Sequence, residues 1–153
     1  MNSSAKSNMY EVNAESVLGA YGAFVEGTPA ATAMVAAADS LGGLARTALE
    51  RSFAQLGYGE GTVAWLRLTA DGMTLGPQEL ATIAEGIDPA AIVLADEAAT
   101  TLFARAYRCE LDLEAAARVL GRRVVTFSDF SALLDDSEAK QRAWALLKRL
   151  RVR

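Results

Sequence analysis

Four short strand-like segments, the apolar runs "ATAMVAAAD" (31–39) and "PAAIVLAD" (89–96), the alternating "TVAWLRL" (62–68) and "RRVVTF" (122–127), are separated by segments whose apolar residues recur with helical period. That alternation constrains the fold more than any other feature of the chain. Strands joined through helices form parallel crossover units, and a parallel sheet needs cover on both faces. A strand buried on both faces reads as an unbroken apolar run, as "AIVLA" (91–95) does. The expectation is an α/β fold, a three-layer α/β/α sandwich with a mostly parallel sheet of about four strands.

Six helices are expected between and around these strands. The first covers 11–26, with Val12, Val17, Leu18, Tyr21 and Val25 on one face, and "EGTP" (26–29) ends it. "LARTALERSFAQLG" (44–57) closes on a glycine, and "GPQELATIAEG" (76–86) has proline in its first turn and glycine after its last. "EAATTLFARAY" (97–107), "LDLEAAARVLG" (111–121) and residues 137–150 complete the set. Residues 1–10 are polar and read as a frayed tail, and 11–153 as one domain, the size at which a single core suffices.

Composition excludes several classes of chemistry. The chain has no histidine, which removes the commonest general base, the usual zinc ligand and any Ser-His or Cys-His nucleophile. Its one cysteine, Cys109, can form neither an intrachain disulfide nor a four-thiolate cluster, so no metal or cofactor is expected. No run approaches the roughly 20 apolar residues that cross a bilayer. Nor is there a basic segment followed by an apolar one at the start, so no signal peptide is expected. A cytoplasmic protein without membrane contact is the expectation.

Charge is unevenly distributed. Residues 140–153 carry Lys140, Arg142, Lys148, Arg149, Arg151 and Arg153 and no acid, a charge of +6; with −4 overall, the other 139 residues hold −10. An acidic body is poorly suited to a phosphate backbone, whose neutralisation supplies most non-specific affinity. The six cations are the candidate contacts to nucleic acid or to an acidic protein partner, and equally suit a solvated helix end complementing its dipole.

In such folds ligands bind beyond the carboxyl ends of the strands. There the sequence offers Asp39, Ser40, Arg67, Asp96, Ser128 and Asp129. Asp39, Asp96 and Asp129 together would make a carboxylate cluster for Mg²⁺ or a general base. Each also sits where it would cap the following helix, and Asp135 with Glu138 has capping-box spacing. Arg67 is suited to hold a phosphate or to pair with an acid.

The segments "LARTALERSFAQLGYGEGTVAWLRL", "IDPAAIVLADEAATTLFA" and "VVTFSDFSALLDDSEAKQRAWALLKRL" follow one another in an order that resembles the uracil-DNA glycosylase superfamily over about residues 31–150. "SALL" (131–134), Lys140, Trp144 and Leu147 carry the most specific part of the likeness. The resemblance implies a uracil-DNA glycosylase-like α/β/α fold, and it also locates the family's chemical positions. Its acidic loop residue falls on Ala37, with Asp39 two residues on, and Arg67 lies nearest its strand asparagine. Its histidine and proline fall on Asp129 and Phe130. A carboxylate at the histidine position repels the anion that the family's reaction develops.

The resemblance therefore implies a non-catalytic domain used for binding or scaffolding, linked to DNA repair or replication, with a protein partner. An active hydrolase with an altered carboxylate site is the alternative. "MVAAADSLGG" (34–43) and the Trp144 helix also resemble the psi subunit of bacterial DNA polymerase III, which implies a third reading as a clamp-loader accessory subunit.

Overall fold

The computed structural model describes residues 13–152; the tail expected at 1–10, Val12 and Arg153 lie outside them. Helix α1 covers residues 13–20. It is followed by β1 (Val25–Glu26), β2 (Ala33–Ala37), α2 (Gly43–Gln55), β3 (Val63–Arg67), the hairpin β4 (Thr69–Ala70) and β5 (Met73–Thr74), and α3 (Pro77–Ile87). Then come β6 (Ala91–Leu94), α4 (Glu97–Ala106), β7 (Ala116–Val119), β8 (Arg122–Thr126), α5 (Phe130–Leu133), α6 (Ser137–Leu147) and a closing 3₁₀ turn, Lys148–Leu150.

The protein is α/β, with a mixed six-stranded sheet in the order β1-β3-β2-β6-β8-β7. β3, β2, β6 and β8 pair in parallel, and these are the four strand-like segments of the sequence. β1 and β7 extend the sheet at its edges as antiparallel strands. Alternate residues of the central strands feed two cores. Met34, Ala36, Leu66, Ile92, Leu94 and Val124 pack with Val17, Leu80, Ile83 and Phe103 of α1, α3 and α4. Val35, Ala37, Val93 and Val125 pack with Leu49, Phe53, Phe130 and Leu147 of α2, α5 and α6. Each fully buried Leu, Ile or Phe contributes about 1.5–3 kcal/mol.

Local chemistry sets the helix ends. Pro77 opens α3, and the Gly76 N–H donates to Glu79 Oε1 at 2.9 Å, satisfying one donor that the helix leaves free. Gly86 within α3 reflects close packing, since a Cβ there would overlap Val17 Cγ2 on α1. Asp136, rather than Asp135, caps α6 by accepting from the Ala139 N–H at 3.0 Å.

Two expected helices are corrected. The first ends by residue 20 instead of 26, and Val25–Glu26 pairs with Leu66 and Trp65 of β3. The segment 111–121 is an irregular stretch followed by β7, which joins β8 in a hairpin. Leu120 (φ 49°) and Gly121 (φ 82°) form its turn. Positive φ at both central residues is the two-residue geometry that matches strand twist. The sheet pairing thus overrides the helix propensity of "EAAARVL".

Candidate functional site

At the carboxyl ends of β2, β6 and β8 the loops are tied to one another. Asp96 caps α4 through Oδ1, which accepts from the Ala99 N–H at 2.9 Å, while Oδ2 accepts from the Ala38 N–H at 2.8 Å. Asp96 and Asp129 face each other in an antiparallel backbone bridge. Around it the Glu97 N–H donates to Ser128 O at 3.0 Å and the Phe130 N–H to Ala95 O at 2.8 Å. Asp129 is exposed and caps α5, accepting from the Ala132 N–H at 3.3 Å. Ser128 donates through its backbone N–H and hydroxyl to Glu114 Oε1 at 2.8 and 2.7 Å.

Phe130 points inward. It is 2% exposed, with its ring 5.1 Å from that of Phe127. Ala37 is buried in register with Arg67, and Asp39 is exposed. Asp96 and Asp129 act as caps, and among the described residues no three His, Cys, Asp or Glu side chains gather closely enough to hold a metal ion.

Substituting the two caps separates their roles. Asp96→Ala removes two charge-assisted bonds, one of them between loops, and is expected to lower stability by about 2 kcal/mol. Asp129→Ala removes one longer, solvent-exposed bond and is expected to cost about 0.5–1 kcal/mol. Urea unfolding midpoints of the two variants test the order.

Arg67 lines a cleft of about 240 Å³ with Ser40, Arg46, Trp65 and the turn at residues 22–24. Its Nε donates to Ala23 O at 2.8 Å and its Nη1 to Ser40 Oγ at 3.1 Å. Among the described residues it forms no ion pair. Arg46 stacks 4.6 Å over the Trp65 ring and pairs with Glu26 at 2.5 Å and Glu50 at 3.1 Å. Its charge is thereby neutralised, and the hydrogen bond to Glu26 holds its pKa above the usual arginine value.

On the opposite face, Arg122 is 9% exposed and bonds Glu85 at 2.6 Å and Asp88 at 2.8 Å. Burial opposes its charge, but the bond to Asp88 and the charge of Glu85 outweigh it and raise the pKa. Tyr107 donates to Glu85 Oε2 at 2.8 Å. Burial, reinforced by that bond, drives its pKa far above the ordinary phenol value.

The candidate cations do not share one surface feature. Lys140 lines a groove between α2 and α6 with Leu44 and Trp144, Arg142 is exposed, and Lys148 lies 5.9 Å over the Trp144 ring. Arg149 lines a different cleft, of about 240 Å³, with Arg118 of β7 and Arg123 of β8. The carbonyl of Arg151 accepts a bond from Arg123 Nη1. Arg118 and Arg123 escape a reading of the sequence because 111–121 has the pattern of a helix. The signal for them is the pair "LG" (120–121) between "AARV" and "RRVV", which makes a hairpin turn and sets the two arginines opposite each other. Neither a family model nor a curated protein matches this chain.

Proposed function

We propose that this chain is a non-catalytic domain built on a uracil-DNA glycosylase-like frame, and that it serves as a binding or scaffolding module. One observation carries the reading. The corner between β8 and α5, where the resemblance sets a histidine and a proline, is taken up by packing and capping. Asp129 caps α5 and Phe130 fills the core, with its N–H bonded to Ala95 O. A proline at 130 would have no N–H for that bond. A carboxylate at 129 would raise the energy of a departing uracil anion instead of lowering it.

The succession β2, α2, β3, α3, β6, α4, β8, α5, α6 supports the frame, with the β7 hairpin where the resemblance implies a further helix. DNA repair or replication is the setting that the resemblance implies, and a protein is the partner.

The test is incubation with labelled single- and double-stranded oligonucleotides, with and without uracil, at two salt concentrations. The expected result is no excision on any substrate. Release of uracil would overturn the reading and return Asp39 and Asp129 to consideration as an altered carboxylate site.

A further inference from the structure

β7 is the last strand of the sheet, so among the described residues one of its edges has no strand beside it. The hydrogen bonds show which residues face that edge. The Thr126 N–H donates to Ala115 O at 2.9 Å, making 115 and 126 a hydrogen-bonded pair. Antiparallel pairs alternate, so Ala117 and Val119 also bond to β8, while the backbone groups of Ala116 and Arg118 point outward. Arg123 agrees with this phase, since its N–H turns away from β7 to Ala90 O, just before β6.

Arg118 and Arg123 therefore occupy a non-hydrogen-bonded pair, the position that brings facing side chains closest. Like charges directly opposite each other destabilise a sheet. Arg149 of the 3₁₀ turn adds a third guanidinium to the same cleft, whose other lining residues are Ala116, Ala117, Val124 and Leu150. Among the described residues no acid lines it and none of the three arginines forms an ion pair. Arg123 is held in place by the Arg151 carbonyl, and its Nη2 lies 3.5 Å from the Tyr58 hydroxyl. Three cations without a counter-charge among the described residues, in a chain of net charge −4, mark a surface that an acidic ligand would complement.

We propose that the β7 edge and the Arg118–Arg123–Arg149 cleft bind an acidic, extended segment of a partner protein, added to the sheet as a seventh strand. The proposal rests on the reading of the chain as a binding module and names its partner's chemistry. The outward N–H and C=O groups of Ala116 and Arg118 supply the main-chain bonds, and carboxylates on alternate residues of the segment meet the guanidiniums. A four-residue edge spans only about 13 Å, enough for a short peptide. A long polyanion would instead extend over the acidic body. A second copy of the chain is disfavoured as the occupant, because edge pairing would bring the same arginines face to face.

The test uses the full chain and a fluorescent peptide of alternating Glu and Thr, with fluorescence anisotropy as the readout. Saturable binding that weakens with salt is expected, reduced on the order of tenfold by Arg118→Ala or Arg149→Ala. Arg118→Ala should fold at least as stably as the parent, since it relieves a repulsion. The same peptide N-methylated at alternate residues should fail to bind. No binding, binding unchanged in both variants, equal binding of the N-methylated peptide, or preference for a mixed-sequence oligonucleotide would each overturn the proposal. Uracil excision measured on the same preparation separates the two levels. Excision removes the module reading, whereas absent peptide binding without excision removes this partner alone.

Discussion

Phe130→Ala is expected to lower the unfolding free energy by about 3–5 kcal/mol. The side chain is 2% exposed and packs against Phe127 in the core beneath α2 and α6. Truncation leaves a cavity bounded by secondary structure on several sides, which relaxes only in part. Phe130→Pro is expected to cost at least as much, because it also orphans the Ala95 carbonyl at a corner where two loops depend on each other. Urea unfolding measures both. A loss under about 1 kcal/mol for the alanine variant would mean that the corner is not a packing element, and the observation carrying the proposed function would fail with it.

The second large effect concerns Arg122. Its guanidinium is nearly buried, whereas its partners Glu85 and Asp88 remain about half exposed. The two sides of the ion-pair network therefore respond differently. Removing both acids, as in Glu85→Ala with Asp88→Gly, strands a buried charge and is expected to cost about 3 kcal/mol. Glycine is chosen at 88 because the backbone there has φ 53°, a conformation glycine adopts freely.

Arg122→Met removes the charge instead, and leaves two carboxylates that water reaches. It also removes the Nε atom, which has no hydrogen-bond partner among the described residues. That variant is expected to stay within about 1 kcal/mol of the parent. Thermal or urea unfolding of the two variants decides the matter, and a larger loss in Arg122→Met, whose side chain keeps an apolar stem, would show that the guanidinium's bonds to Glu85 and Asp88 stabilise the fold on balance.

The residues of this site differ in how openly the sequence declares them. Asp96 and Asp129 are legible as caps because each stands directly before a helical pattern, and capping is a local interaction. The inter-loop bond from Ala38 to Asp96 is not legible, since its two ends are 58 residues apart in the chain. Nor is the fate of Arg67. Its position suggests an ion pair, but the tertiary fold supplies it with the Ala23 carbonyl and the Ser40 hydroxyl.

The four central strands were legible in the sequence itself, β2 and β6 because burial on both faces writes an unbroken apolar run, β3 because its residues alternate and include β-branched and aromatic types. The edges were decided only by the tertiary structure. Val25–Glu26 is too short to leave a pattern, and "EAAARVLG" has the local preferences of a helix. It becomes a strand because β8 offers it a ladder and Leu120–Gly121 turns it back. The same non-local pairing brings Arg118 and Arg123 together and sets them beside Arg149. Local preference acts over a few residues, whereas pairing is won from hydrogen bonds and packing across the whole sheet, and where the two conflict the larger sum prevails.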